Sequence, residues 1–170
     1  DAESALDTFS TIHRAELEKR FAAKIGIDGG HEDDWSLAQT LLTVMSDGKA
    51  DFTLVFRHLS AALDSGNDEV VTRHFNQSDG IVAWLGDWRA RLHDVDPNSA
   101  IALMRRVNPV FIPRNHRVEE AIQAGIDGDY EPFHRLNEVQ QKPFTEQGEF
   151  VKYEAAPSVN EVVHATFCGT

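Results

Sequence analysis

Apolar residues recur at helical spacing along most of the chain. Phe9, His13, Leu17, Phe21 and Ile25 follow one another every four residues, with Leu6 and Ile12 beside them, so one face of a first helix turns toward a core. Glu16 and Arg20 fall on its outer side, and Gly26 with Gly29-Gly30 stops it. His31-Glu32-Asp33-Asp34 opens a second helix, because acidic side chains favour the positive end of the helix dipole. Leu37, Leu41, Val44 and Met45 give its buried face, and Asp47-Gly48 ends it. A third helix from about Asp51 sets Phe52, Val55, Phe56, Leu59 and Leu63 on one side and stops at Ser65-Gly66-Asn67.

A short segment with Val70, Val71 and Phe75 precedes a helix capped by Ser78 or Asp79, with Ile81, Leu85, Trp88 and Leu92 inside. Asp96 caps the next helix and Pro97 occupies its first position; Ile101, Met104 and Val107 face inward. Asn108-Pro109 closes it, since a residue before proline is pushed out of the helical region. Pro113 falls in the first turn of a helix striped by Val118, Ile122 and Ile126, which ends between Gly125 and Gly128. Asp129 caps a last helix with Phe133, Leu136 and Val139 inside, closed by Lys142-Pro143. From Phe144 the periodicity fades, and Val162, Val163, Ala165 and Phe167 leave room for one short strand. The pattern predicts a mainly all-α fold of roughly six to eight packed helices. It divides into a helical domain over residues 1–143 and an irregular tail over residues 144–170.

Charge narrows the partners. With 28 acidic and 16 basic residues the formal net charge is −12, which repels phosphate backbones and argues against a nucleic-acid partner. No apolar run has membrane-spanning length, so no membrane partner is expected. Asp1 to Leu6 lack both a basic start and an apolar stretch, and they lack an initiator Met, which fits a processed chain or a fragment. Cys168 is the single cysteine, so internal disulfides are excluded and a reducing, cytoplasmic setting is expected.

The chain offers little catalytic chemistry of its own. Gly29-Gly30 and Gly125-Ile126-Asp127-Gly128 are the nearest approach to phosphate-cradling loops, but neither follows a strand or precedes Lys-Ser/Thr, and both read as helix stops. His31 with Glu32, Asp33 and Asp34 is locally acidic, which helix-start electrostatics explain better than a cation site. His74, His93-Asp94 and Asp127 or Asp129 imitate the order of an all-helical two-metal site, with the His-Asp pair at a helix end where ligands are poorly held. Cys168 and His164 share a parity that would pair them on a strand, but a chain terminus does not preorganise a nucleophile. His13 and His58 read as structural histidines, and Trp35, Trp84 and Trp88 as core and boundary residues. Arg105, Arg106, Arg114 and Arg117 are the one basic concentration and suit acids on a partner surface or solvent equally.

Several segments, in order, carry a resemblance. They are Asp51-Phe52-Thr53 with Phe56-Arg57-His58-Leu59-Ser60; Trp88-Arg89-Ala90-Arg91-Leu92; Val107-Asn108-Pro109 with Arg114-Asn115; Gly128-Asp129 leading to His134-Arg135-Leu136 and Lys142-Pro143-Phe144; and Phe167-Cys168-Gly169-Thr170. Together they resemble the C-terminal region of the selenoprotein O family. Pro113 departs from the apolar residue expected there, and the tail after Tyr153 lacks a Pro-Pro and a Trp.

The resemblance implies a kinase-like parent that binds ATP with Mg or Mn and transfers AMP to protein Ser, Thr or Tyr hydroxyls. Its catalytic lobes would precede Asp1 and would be this chain's partner. No catalytic, cofactor-binding or metal-binding residue is therefore expected here, and the chain alone is not expected to be an enzyme. Asn108, Arg114 and Asn115 are the candidate domain contacts. Cys168 is the redox candidate, because cysteine or selenocysteine occupies that place in the family; the implied device is a regulatory disulfide with a cysteine of the preceding lobes. The alternative is a stand-alone helical interaction module that binds a partner helix through an exposed apolar strip.

Overall fold

A computed structural model describes residues 2–163 except Gly30 and Glu32, with the side chains of residues 2–7 also left aside. Among the described residues the fold is all-α, with no strand. The helices are α1 (Ala2–Lys24), α2 (Asp34–Asp47), α3 (Phe52–Ser65), α4 (Glu69–Thr72), α5 (Asp79–Arg91), α6 (Pro97–Val107), α7 (Asn115–Ile126), α8 (Glu131–Gln140) and α9 (Val151–Glu154). Short 3-10 turns cover Gly148–Phe150 and Val159–Glu161. Val162 and Val163 are not in a strand; Ala165 and Phe167, the rest of that expected segment, lie outside the described residues. The chain forms two compact units, Asp1–Asn108 and Pro109–Thr170.

In the first unit, α1 to α6 surround one core. Ile25, Leu41, Val55, Phe56, Leu59, Ile81, Leu85 and Met104 are buried there around Trp84 and Trp88. The two indoles stack with centroids 5.7 Å apart, and each still satisfies its N–H: Trp84 Nε1 donates to the Leu37 carbonyl at 2.9 Å and Trp88 Nε1 to the Ile25 carbonyl at 2.8 Å. Burying each large apolar side chain contributes about 1.5–3 kcal/mol, so this cluster dominates the unit's stability. Asp51 and Asp96 cap as expected, accepting from Leu54 N at 2.9 Å and Ser99 N at 2.8 Å. Ser78 makes no side-chain cap bond at the start of α5.

The stripe on α1 is only partly buried. Ala22 and Ile25 enter the core, whereas Phe9 and Ile12 are 64% and 58% exposed. The described side chains of α1 before Leu17 are all exposed, so correct periodicity there does not bury the stripe.

In the second unit, α7 and α8 form a hairpin, and the segment after it returns across the chain's turn at Pro143. The Pro143 carbonyl accepts from both Val110 N at 2.8 Å and Phe111 N at 3.1 Å. Val110, Phe111, Val139, Phe150 and Tyr153 make a small core. Pro113 stands ahead of α7 rather than in its first turn: Arg114 is the capping residue, in an extended conformation. Asp129 does not cap α8 as expected: Tyr130 holds the capping position without a side-chain bond, and Asp129, one residue earlier, accepts from Glu131 N at 3.0 Å.

Candidate functional site

The richest polar arrangement in the first unit surrounds Asn108, the residue that ends α6. Pro109 forces Asn108 out of the helix, to φ −107° and ψ 108°, and so turns its amide inward. Only 1% of Asn108 is exposed. Its Nδ2 donates to the Lys24 carbonyl at 2.8 Å and the Phe56 carbonyl at 3.2 Å, and its Oδ1 accepts from Lys24 Nζ at 2.9 Å. Arg57, also buried, donates to the carbonyls of Arg105 and Asn108, both at 3.3 Å. One amide thus ties together the ends of α1 and α6 and the middle of α3.

Lys24 completes this joint. Its ammonium lies 4.9 Å from the ring centroid of Phe56 and 5.4 Å from that of Phe52, a cation–π position. Burial lowers its pKa from the usual lysine value. Periodicity could not single out Lys24, because it lies on a helix end where lysine is ordinary.

Two further polar pairs were not legible in the sequence. Asp34 is buried and receives a two-point contact from Arg91, Nε to Oδ1 at 2.7 Å and NH2 to Oδ2 at 3.2 Å, plus the His31 backbone N–H at 3.0 Å. The acidic residues at the start of α2 are therefore not all dipole partners: Asp34 joins α2 to α5. The second pair is His58 and His74, stacked with centroids 4.8 Å apart and joined Nδ1 to Nε2 at 2.7 Å. Burial foremost, then His74, Arg73 and Arg57, push the His58 pKa down to about 4, against the opposing pull of Asp51. His74 is lowered as well, by burial and then Arg73. The contact requires one imidazole nitrogen to donate and the other to accept, so the two rings cannot both be protonated while it is made.

In the second unit, Arg114 and His116 are each 7% exposed, whereas Asn115 between them is exposed. Arg117 pairs with Glu120 at 2.9 Å and with Glu161 at 3.4 Å, and so holds the chain's later segment against α7. Burial lowers the His116 pKa, with Arg117 next in effect. Glu161 also closes a capping box with Ser158, and those hydrogen bonds chiefly lower its pKa. Of the basic residues singled out above, Arg105 pairs with Asp64 at 2.9 Å, and Arg106 is exposed.

The remaining candidates are soon placed. His93 and Asp94 side chains are 85% and 98% exposed and 4.0 Å apart. Cys168 and His164 lie outside the described residues, as does Glu32. Among the described residues no three His, Cys, Asp or Glu side chains are grouped to hold a metal ion. A cavity of about 710 Å³ beside α1 and α2 is lined by Arg14, Lys19 and His31, but also by Glu18, Asp28 and Asp34. Carboxylates among the cations do not fit a triphosphate. The lining of that cavity therefore does not suit ATP. Gly26, Gly66 and Gly128, which have φ between 70° and 87°, follow helix ends, and Gly29 at φ 76° lies in the loop between α1 and α2. No described helix is long and apolar enough to cross a membrane.

Comparison with known proteins places this architecture. Residues 1–141 match the family described as Protein adenylyltransferase SelO. Over 178 residues the chain is 44% identical to a protein nucleotidyltransferase YdiU of a Bradyrhizobium strain, covering 100% of this chain and 35% of that protein. It is 43% identical over 182 residues to the YdiU of Rhizobium etli, covering 100% of this chain and 36% of that protein. With the YdiU of Rhodopseudomonas palustris it shares 41% over 173 residues, covering 99% and 35%. The chain thus spans about a third of the length of these relatives, and it belongs to the family of the protein adenylyltransferase SelO.

Proposed function

We propose that this chain is the non-catalytic, C-terminal helical part of a protein adenylyltransferase, and that it packs against the nucleotide-binding lobes of its parent. The observation that carries this reading is the match over residues 1–141 by a chain covering 35% of a relative's length. The polar chemistry of the described residues supports it. Asn108, Arg57, Asp34 and Arg91 all bond within their own unit and hold helices in place. Asn108, Arg114 and Asn115 are the candidate contacts to the lobes; of the three, Asn115 at the start of α7 is exposed, and Asn108 and Arg114 are buried. ATP and Mg or Mn belong to the lobes, and the transferred group is AMP, from the α-phosphate of ATP to a protein hydroxyl.

Cys168 supplies the redox element of this reading. Its thiolate and a lobe cysteine would exchange with a small-molecule disulfide such as oxidised glutathione, which leaves as two thiols when the protein disulfide forms. The setting is a reducing, cytoplasmic one.

The test uses ATP labelled on its α-phosphate. The full-length parent is expected to label a protein acceptor, and the purified 170-residue chain is expected to label nothing. Labelling by a clean preparation of the 170-residue chain would overturn the non-catalytic role. For Cys168, oxidised parent should differ from reduced parent in activity and in mobility on a non-reducing gel, and Cys168→Ser should abolish both differences. Identical behaviour of the oxidised and reduced wild type removes the switch.

A further inference from the structure

The hairpin of α7 and α8 leaves an apolar groove open. Val118, Ala121, Ile122 and Gly125 line it from α7, and Phe133 and Leu136 from α8, with Tyr130 at the turn; its volume is about 360 Å³. Ile122 and Phe133 are each 50% exposed and Tyr130 60%, although all three sit where an apolar stripe is normally covered. The unit's own core is small and lies elsewhere, around Val110, Phe111, Val139, Phe150 and Tyr153. Gly125 keeps the floor of the groove low: a Cβ there would reach Tyr130 at 3.8 Å, and a longer side chain would fill the opening. An apolar channel between two antiparallel helices accepts the stripe of a third helix.

Charge identifies the third helix. Residues 115–140 carry Glu119, Glu120, Asp127, Asp129, Glu131 and Glu138 against only Arg117 and Arg135. Both guanidiniums are already engaged by carboxylates: Arg117 with Glu120 and Glu161, Arg135 with Glu131 at 2.9 Å and Glu138 at 3.2 Å. Lys152 adds a third cation, 3.8 Å from Glu120, and the hairpin's carboxylates still outnumber the cations paired with them, so the apolar channel lies in a net negative field. Such a field accelerates encounter between separate molecules but adds little for a segment already tethered at high effective concentration. We propose that the α7–α8 groove docks an amphipathic helix of a separate protein, one whose apolar stripe is flanked by lysines or arginines. This inference goes beyond the packing role above and does not depend on nucleotidyl transfer.

The probe is a fluorescent helical peptide of roughly eighteen residues, long enough to hold a helix, with leucines at i, i+3, i+4 and i+7 and lysines on the flanks. It is titrated into the full-length parent and into the 170-residue chain. Both are expected to bind it with a dissociation constant on the order of micromolar. A scrambled peptide and a glutamate-flanked peptide are expected to bind at least about tenfold more weakly, and the association rate should fall as salt rises. Gly125→Leu, which favours the helix while filling the groove, and Phe133→Asp should each weaken binding by about tenfold or more with the far-UV spectrum unchanged. Asp127→Lys, an exposed change at the turn, should narrow the gap between the lysine- and glutamate-flanked peptides.

Equal binding of the scrambled peptide overturns the proposal, as does indifference to both groove substitutions. Binding by the 170-residue chain but not by the parent overturns it in favour of a groove filled by the parent's own residues. Self-association abolished by Phe133→Asp overturns it in favour of a second copy of this chain.

Discussion

Replacing Asn108 by leucine leaves the carbonyls of Lys24 and Phe56 without their donor inside a closed core. A buried group stripped of its partner costs more than a hydrogen bond normally contributes, and here the carbonyl and the ammonium of Lys24 lose theirs at once, while the Phe56 carbonyl keeps only its bond within α3. Asn108→Leu should therefore lower the unfolding free energy of the chain by about 2–4 kcal/mol, read from the urea midpoint. Asn108→Asp should also destabilise: it keeps an acceptor for Lys24 but sets carboxylate oxygens against two carbonyl oxygens. A variant as stable as the wild type would show the amide network to be dispensable. The histidine pair yields a pH dependence. His58 falls from the usual 6.5 to about 4 in the folded chain, and His74 is lowered too. The unfolded chain then takes up protons first, so the contribution is complete above about pH 6.5 and is lost as pH falls toward about 4. Urea midpoints should decline across that window, at up to about 1.4 kcal/mol per pH unit for each proton excluded. His58→Gln should flatten the decline relative to wild type; an unchanged slope would mean that other groups cause it.

At the level of the elements, helix ends separate what composition announces from what packing imposes. Asp51 and Asp96 cap because each precedes a helical stripe and carries a short acceptor, and each was readable as a cap in the chain; Asp129 was readable in the same way but stands one residue ahead of the α8 cap, Tyr130. Gly48 was readable as a stop for α2, but its φ is −78°, a conformation open to any residue, and the left-handed residue is Lys49 at φ 50°. Glycine is needed at 48 for space: an added Cβ would stand 2.6 Å from Phe75 Cδ1 and 3.1 Å from the Val44 carbonyl oxygen. Gly48→Ala should therefore cost about 1–3 kcal/mol through the displaced ring. Lys49→Gly should instead gain up to about 1 kcal/mol, since only glycine tolerates the left-handed region freely. Thermal melts of the two variants check the contrast, and a neutral Gly48→Ala would sink it. The same limit applies to Asp34, which belongs by composition to a set of acids at a helix start. Only the arrival of Arg91 from α5 makes it a buried ion-pair partner.

At the scale of the whole molecule, the two units differ in how much apolar surface each buries. The first encloses two stacked indoles within one large apolar cluster, and the second has a smaller core around Val110, Phe111, Val139, Phe150 and Tyr153 and leaves a groove open. Opening free energy follows buried apolar contact, so amides of residues 109–163 should exchange with deuterium faster than those of α3, α5 and α6 in the same sample. Uniform protection along the chain would show that the small core is stabilised as strongly as the large one. Spacing within single segments was enough to read a mainly helical class, the places of the longer helices, and most of the inward faces of α2, α3, α5 and α6; it missed α9 in the segment read as irregular and turned Phe52 inward, which is 46% exposed. Family membership was legible on the same footing, through ordered local segments such as Val107-Asn108-Pro109 and Arg114-Asn115. Packing between helices was needed to show that Phe9 and Ile12 of the α1 stripe are exposed, that Asn108 joins α1, α3 and α6, that His58 meets His74, and that the α7–α8 stripe faces an open groove. Each of these depends on which distant residue arrives opposite a given face. Periodicity fixes the direction of a side chain relative to its own helix axis; it does not determine what the next helix places there.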